Sequence, residues 1–153
     1  MDDNEVATKN LTEVASSMAL EGRIIFSKRV FPNEYLARLG IVDLFLDCFP
    51  YNAGSTARDA LFMGAPILTL SGRTLVSRMA GSILNEAGLN ELITHSTQEY
   101  VSKAISIGNS PFELLEIKRK VEKYTVNSKV GKKMAGEYEE ALFKAYRAKL
   151  FEP

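Results

Sequence analysis

A nearly unbroken apolar run, Ile41-Val42-Asp43-Leu44-Phe45-Leu46, is followed downstream by a second, Pro66-Ile67-Leu68-Thr69-Leu70. Runs of this kind, without polar alternation, are what a parallel sheet covered on both faces requires of its strands. Parallel neighbours need a crossover between them, and the intervening residues supply one. They read as a loop, Asp47 to Gly54, then a helix from about Ser55 to Met63 that Gly64 ends. Upstream, Arg23-Ile24-Ile25-Phe26-Ser27 reads as a further short buried strand, and Asn33 caps a brief helix through Leu39 that Gly40 ends. The centre therefore reads strand, helix, strand, helix, strand, the α/β pattern of a doubly wound sheet with right-handed crossovers.

The flanks read as helix. Leu11, Val14, Ala15 and Met18 fall at helical spacing between Glu5 and Ala19, with Gly22 as the stop. Arg73 to Ala87 is a further helix, followed by a short apolar piece at Leu92-Ile93. Ser96-x-x-Glu99 is a capping box that opens a helix with Tyr100, Val101, Ala104 and Ile105 inward. Ser110-Pro111-Phe112-Glu113 repeats the device, and Leu114, Ile117, Val121 and Tyr124 make its stripe. Thr125 to Lys133 is a polar connection to a last helix with Met134, Tyr138, Ala141, Leu142 and Ala145 on one face. About four strands are visible, few for a doubly wound sheet. With 153 residues and no internal repeat, residues 1–153 are expected to form a single domain.

Charge and composition exclude several classes. The 19 basic residues cancel the 19 acidic ones, so no broad field attracts nucleic acid or an anionic membrane. The start, Met1-Asp2-Asp3-Asn4-Glu5, is not a secretory signal, and Asp43 and Asp47 break the central apolar run below membrane-spanning length. Cys48 is the only cysteine, which excludes an intrachain disulfide and fits a reducing, cytoplasmic setting; an inert thiol after a buried strand is the expectation for it. No His, Cys and carboxylate cluster has metal-ligand spacing, and the lone His95 falls in a surface loop. Lys118-Arg119-Lys120 reads as a solvated helix face.

Chemistry concentrates in Asn52-Ala53-Gly54-Ser55-Thr56-Ala57-Arg58-Asp59. Glycine permits close backbone approach, and the first amides of a helix starting at Ser55 and Thr56 suit a phosphate or diphosphate. Asp59, one turn in, can accept hydrogen bonds from ribose hydroxyls. Simple capping by Ser55 and a favourable charge at Asp59, about 1 kcal/mol each, explain the same residues and are favoured on pattern alone. The segment is neither a P-loop nor a GxGxxG fingerprint. Tyr35 and Arg38 share a helix face and could stack on and bond a base, or equally sit in solvent.

Three stretches together resemble the O-linked N-acetylglucosamine transferase family, which includes SPINDLY-like and bacterial protein glycosyltransferases. They are Arg23-Ile24-Ile25-Phe26-Ser27; Leu46-Asp47-x-x-Pro50-Tyr51-Asn52-Ala53-Gly54-Ser55-Thr56-x-x-Asp59-Ala60-Leu61-x-x-Gly64-x-Pro66; and Gly72-Arg73-x-x-x-Ser77-Arg78. The resemblance runs from about Glu13 to Ile93 and implies a Rossmann-like parallel sheet with flanking helices, the C-terminal lobe of a GT-B glycosyltransferase. It further implies that Val30 lies beside the uracil of a UDP-sugar, that Tyr35 stacks on it and that Arg38 contacts it. Gly54, Ser55 and Thr56 would present helix amides to the diphosphate, and Asp59 would hold the ribose.

The same resemblance implies transfer of a sugar from UDP-GlcNAc to Ser or Thr of a protein acceptor, with no metal or other cofactor. The family usually has His where this chain has Gly54, a basic residue at Pro32 and His at Tyr35, and its Leu-Phe-(Asp/Asn)-Thr segment is replaced by Lys129-Val130-Gly131-Lys132. No catalytic residue is assigned within this chain. The diphosphate-binding lysine and the acceptor-binding helical repeats of the family lie upstream of these residues. The chain is thus expected to be a fragment of a longer enzyme, inactive alone and prone to form a homodimer. The alternative is a non-catalytic nucleotide-binding or protein-interaction module derived from that lobe.

Overall fold

The computed structural model describes residues 4–127 and 130–151. In chain order it contains α1 (Glu5–Ser17), α2 (Pro32–Leu39), β1 (Phe45–Leu46), α3 (Ser55–Phe62), β2 (Ile67–Leu70), α4 (Met79–Glu86), a 3-10 turn (Asn90–Leu92), β3 (Ile93–Thr94), α5 (Thr97–Asn109), α6 (Pro111–Asn127) and α7 (Val130–Phe151). The three strands lie in the order β1-β2-β3, all parallel, with Phe45 opposite Ile67 and Thr69 opposite Ile93. The α/β reading with a parallel sheet and flanking helices is therefore correct.

β2 is the strand that the apolar-run argument describes best. Its Ile67, Leu68 and Thr69 are fully buried, with helices on the sheet and a strand at each side. The run before it behaves differently. Ile41 and Val42 donate their amides back to Arg38 and Leu39, so the end of α2 takes the hydrogen bonds that a longer β1 would need. Only Phe45 and Leu46 pair, and Ile41 is 83% exposed. Arg23 to Ser27 is a second correction. The segment from Ile24 forms no regular secondary structure, no strand partner exists for it among the described residues, and Ile25 is 88% exposed. An apolar run does not by itself supply the neighbour that makes a strand.

Two of the expected caps do not form: Phe31, not Asn33, is the N-cap of α2, and Gly54, not Ser55, is that of α3. Ser96 accepts from the Glu99 amide and Ser110 from the Glu113 amide, as the two capping patterns predict. Gly64 ends α3 at φ +85, a conformation glycine adopts without a Cβ penalty. α1 stops earlier than Gly22 suggests. Ala19 takes φ 55 instead, and the Leu20 amide reaches back to the Ala15 carbonyl in a Schellman closure.

The expected helix from Arg73 shortens to α4, because Thr74 and Ser77 side chains bond the local backbone and hold residues 72–78 in turns. In α5 the buried face passes through Tyr100, Ala104 and Ile107, not Val101 and Ile105; adjacent apolar pairs leave periodicity unable to choose between them. The stripe of α6 is as expected, with Ile117 and Val121 buried, but the helix runs on to Asn127 through the segment read as a connection. Its basic run is also more than a solvated face: Lys118 pairs with Asp43, Arg119 with Glu116 and Lys120 with Glu91.

The main core lies between the sheet, α3, α4 and α6, and includes Ala57, Leu61, Ile67, Leu84, Leu92 and Val121. Along α1 only Ala15 is buried, and on α7 Tyr138, Leu142, Phe143 and Tyr146 are exposed; Met134 lies outside the residues whose side chains are described. Lys103 and Ser106 of α5 both bond the Glu113 carboxylate of α6, and these contacts hold its carboxyl below the usual range. A depressed folded pKa adds stability above the unfolded carboxylate pKa, lost as pH falls through the folded value. Glu113→Gln is thus expected to cost about 0.5 kcal/mol or less at pH 7, since the pair is partly exposed and screened by solvent. Thermal melts from pH 7 downward should show the wild-type and variant curves converging in acid.

Candidate functional site

The apolar run of β1 ends on a carboxylate. Asp47 is only 4% exposed, and its Oδ1 accepts from the backbone N–H of Cys48 at 2.9 Å and of Ala53 at 2.8 Å. Its Oδ2 accepts from the Thr69 hydroxyl at 2.7 Å, which ties the end of β1 to β2. Tyr100 of α5 donates its hydroxyl to the Asp47 carbonyl at 2.9 Å. Burial raises the Tyr100 pKa above its ordinary value, with Asp47 and Cys48 adding to the effect, so the phenol keeps the proton that it donates.

Between Asp47 and α3 the chain turns through a cis Phe49-Pro50 bond to Asn52, which is fully buried. The Asn52 side-chain amide donates to the carbonyls of Cys48 and Leu70, and its backbone N–H donates to Val76. Its Oδ1 is buried without a partner among the described residues. The loops after β1 and β2 are thus knitted together. The second is itself tight: Ser77 is bonded to the Thr74 backbone and side chain, and the Gly72 amide donates to Ser77. This scaffold delivers Gly54 as the N-cap of α3. Glycine contributes no side-chain cap, and among the described residues no side chain bonds the first-turn amides at Ser55 and Thr56.

The sequence-selected residues fall around this helix in three places. Val30, Tyr35 and Arg38 come together, lining a depression of about 470 Å³ with Ser27 and Lys28. Arg38 donates to the Ser27 hydroxyl and the Lys28 carbonyl, so it also fastens the segment before α2 to that helix. Gly54 lines a larger depression of about 940 Å³, with Arg58, Ser71, Arg78 and His95. Ser71 and His95 follow β2 and β3, which puts this depression at the carboxyl ends of the strands, where open α/β sheets bind ligands. Asp59 lines a third, about 370 Å³, beside Phe62, Tyr124 and Thr125. No single described depression contains all three sets.

Sequence reasoning passed over Asp47 and Tyr100 as site-building residues. A lone acid directly after an apolar strand was the available signal for Asp47; nothing local marks Tyr100. Cys48 is exposed, where an inert thiol beside a buried strand was expected. Among the described residues no group of three or more His, Cys, Asp or Glu could hold a metal ion, and no helix is long and apolar enough to cross a membrane.

Residues 4–136 match the family model of glycosyl transferase family 41. A UDP-N-acetylglucosamine–peptide N-acetylglucosaminyltransferase of Caenorhabditis elegans is 35% identical over 99 residues, covering 65% of this chain and 9% of the relative. A probable SPINDLY transferase of the same description from Hordeum vulgare is 28% identical over 98 residues, 64% of this chain and 10% of the relative. A mutant O-GlcNAc transferase of Thermobaculum terrenum superposes with a TM-score of 0.81 at 26% identity, covering 95% of this chain and 28% of its own. The chain therefore spans roughly a tenth of the length of these curated relatives. Motif, fold and match agree: the chain belongs to glycosyl transferase family 41 and has the α/β fold of that family's C-terminal lobe.

Proposed function

We propose that this chain is the donor-binding half of a protein O-GlcNAc transferase-like glycosyltransferase, which takes UDP-GlcNAc as donor and transfers its sugar to Ser or Thr of a protein. The observation that carries this reading is the uncapped N-terminus of α3, held in place by the buried Asp47 and Asn52 network. A helix start with free amides favours a diphosphate, both by hydrogen bonding and by the helix dipole. In this reading the uracil lies against Val30, Tyr35 and Arg38, which the fold brings together, and Asp59 holds the ribose. Negative charge that develops on the leaving UDP is stabilised at Ser55 and Thr56.

The test is a titration of the isotope-labelled chain with UDP, ADP and GDP, followed by NMR. UDP should give the tightest binding, with the largest shifts at Val30, Tyr35 and Ser55 to Asp59. Asp59→Ala should weaken it about tenfold, the equivalent of about 1.4 kcal/mol. Shifts confined to α5 and α6, or an equal response to ADP or GDP, would remove the uridine reading.

A further inference from the structure

The loop that leads into α3 is closed by a buried acid. Asp47 lies at the end of an apolar strand, and its carboxylate accepts from two backbone amides and one side-chain hydroxyl. Oδ1 gathers the amides at the two ends of the loop, Cys48 and Ala53, and Oδ2 anchors the whole to Thr69 in the central strand. A carboxylate is the side chain that accepts from three donors at once and offers no donor of its own. Ala53 immediately precedes Gly54, so the bond at 2.8 Å sets the direction in which the first amides of α3 point.

We infer that Asp47 is the positioning residue of the α3 N-terminus: its carboxylate closes the loop from Cys48 to Ala53 and thereby aims the Gly54 to Thr56 backbone at the donor. The aiming rests on the donor-binding reading above; the loop closure does not. Preorganised amides are effective only where the backbone that carries them does not have to be ordered on binding. Asparagine at this position keeps one accepting oxygen but turns an N–H₂ toward one set of donors, so it should restore part of the effect. Thr69→Val removes the anchor in β2 and leaves both loop amides their acceptor.

The experiment compares the full 153-residue chain with Asp47→Ala, Asp47→Asn and Thr69→Val, by amide hydrogen exchange and by UDP titration at a temperature where each is folded. Exchange at Ala53 and in the first turn of α3 should quicken at least tenfold in Asp47→Ala and less in Asp47→Asn. UDP binding should weaken in the same order, by tenfold or more in Asp47→Ala. Thr69→Val, which loses the anchor but keeps both loop amides bonded, should lower the melting temperature while weakening UDP binding clearly less than Asp47→Ala, by about threefold at most. Affinity that falls in step with stability across all three variants, or unchanged Ala53 exchange in Asp47→Ala, would overturn the inference. Where Asp47→Ala does not fold, Asp47→Asn against Thr69→Val decides by the same criteria. If the wild-type chain ignores UDP, the donor reading fails, and Ala53 exchange alone still upholds or overturns the loop closure.

Discussion

Leu84→Ala should remove between about 2 and 5 kcal/mol of stability, the range for cutting a leucine to alanine in a closed core. Leu84 on α4 is fully buried in the main cluster with Leu89, Leu92 and Ile107, and it lines none of the depressions described above. Water therefore has no ready entry to the space left behind, which favours the upper half of the range. A domain of this size has about 5–15 kcal/mol in total, so the variant should melt on the order of 10 °C lower. Val101→Ala is the control. Its side chain is 46% exposed on α5, and the expected change is within about 0.5 kcal/mol. Paired urea melts check both, and a Val101 effect equal to that of Leu84 would mean that the face of α5 has been assigned wrongly.

Gly72→Ala is expected to cost about 1–3 kcal/mol through overpacking. A Cβ at Gly72 would stand 2.5 Å from Ser77 Oγ, 2.9 Å from Ser77 Cβ and 3.0 Å from a ring carbon of Phe49. Phe49 is exposed and can swing away. Ser77 cannot, since its hydroxyl is bonded to Thr74 and its carbonyl accepts the Gly72 amide. The strain should pass into Val76, whose carbonyl holds the Asn52 amide, and so into the loop before α3. Combining Gly72→Ala with Ser77→Gly removes the obstruction, and the double variant should lose less than the sum of the two singles. Simple additivity in chemical denaturation would show that the two residues do not meet.

Both predictions turn on where sequence patterns carry information. The order of elements from α2 to α4 was legible, because β2 is apolar but for Thr69 and Gly64 and Gly40 mark helix ends that the backbone uses. Capping at Ser96 and Ser110 was legible for the same reason: it is local chemistry between residues three apart. Strand status at Ile24 and Ile41 was not, since pairing depends on a partner that no window of sequence contains. The site divides in the same way. Gly54, Ser55 and Thr56 stand out from their own spacing, and Tyr35 and Arg38 from theirs. Asp47 acquires its role only from Ala53, Thr69 and Tyr100, and the last of these lies far along the chain.

The register of the sheet also dictates an order of assembly. Each strand pairs with the next one in the chain, and a single helix separates β1 from β2 and β2 from β3. Such neighbour-to-neighbour pairings close less loop than any pairing of β1 with β3 would. On a ribosome, which extends the chain at about 5–20 residues per second, β1 can meet β2 once α3 and β2 have emerged, and β2 can then accept β3. The bonds that reach back to the first strand come last: Tyr100 to Asp47 waits for α5, and Lys118 to Asp43 waits for α6. The helix start that is proposed to hold the nucleotide is thus laid down early and locked late, when the C-terminal helices arrive to fasten the strand beneath it.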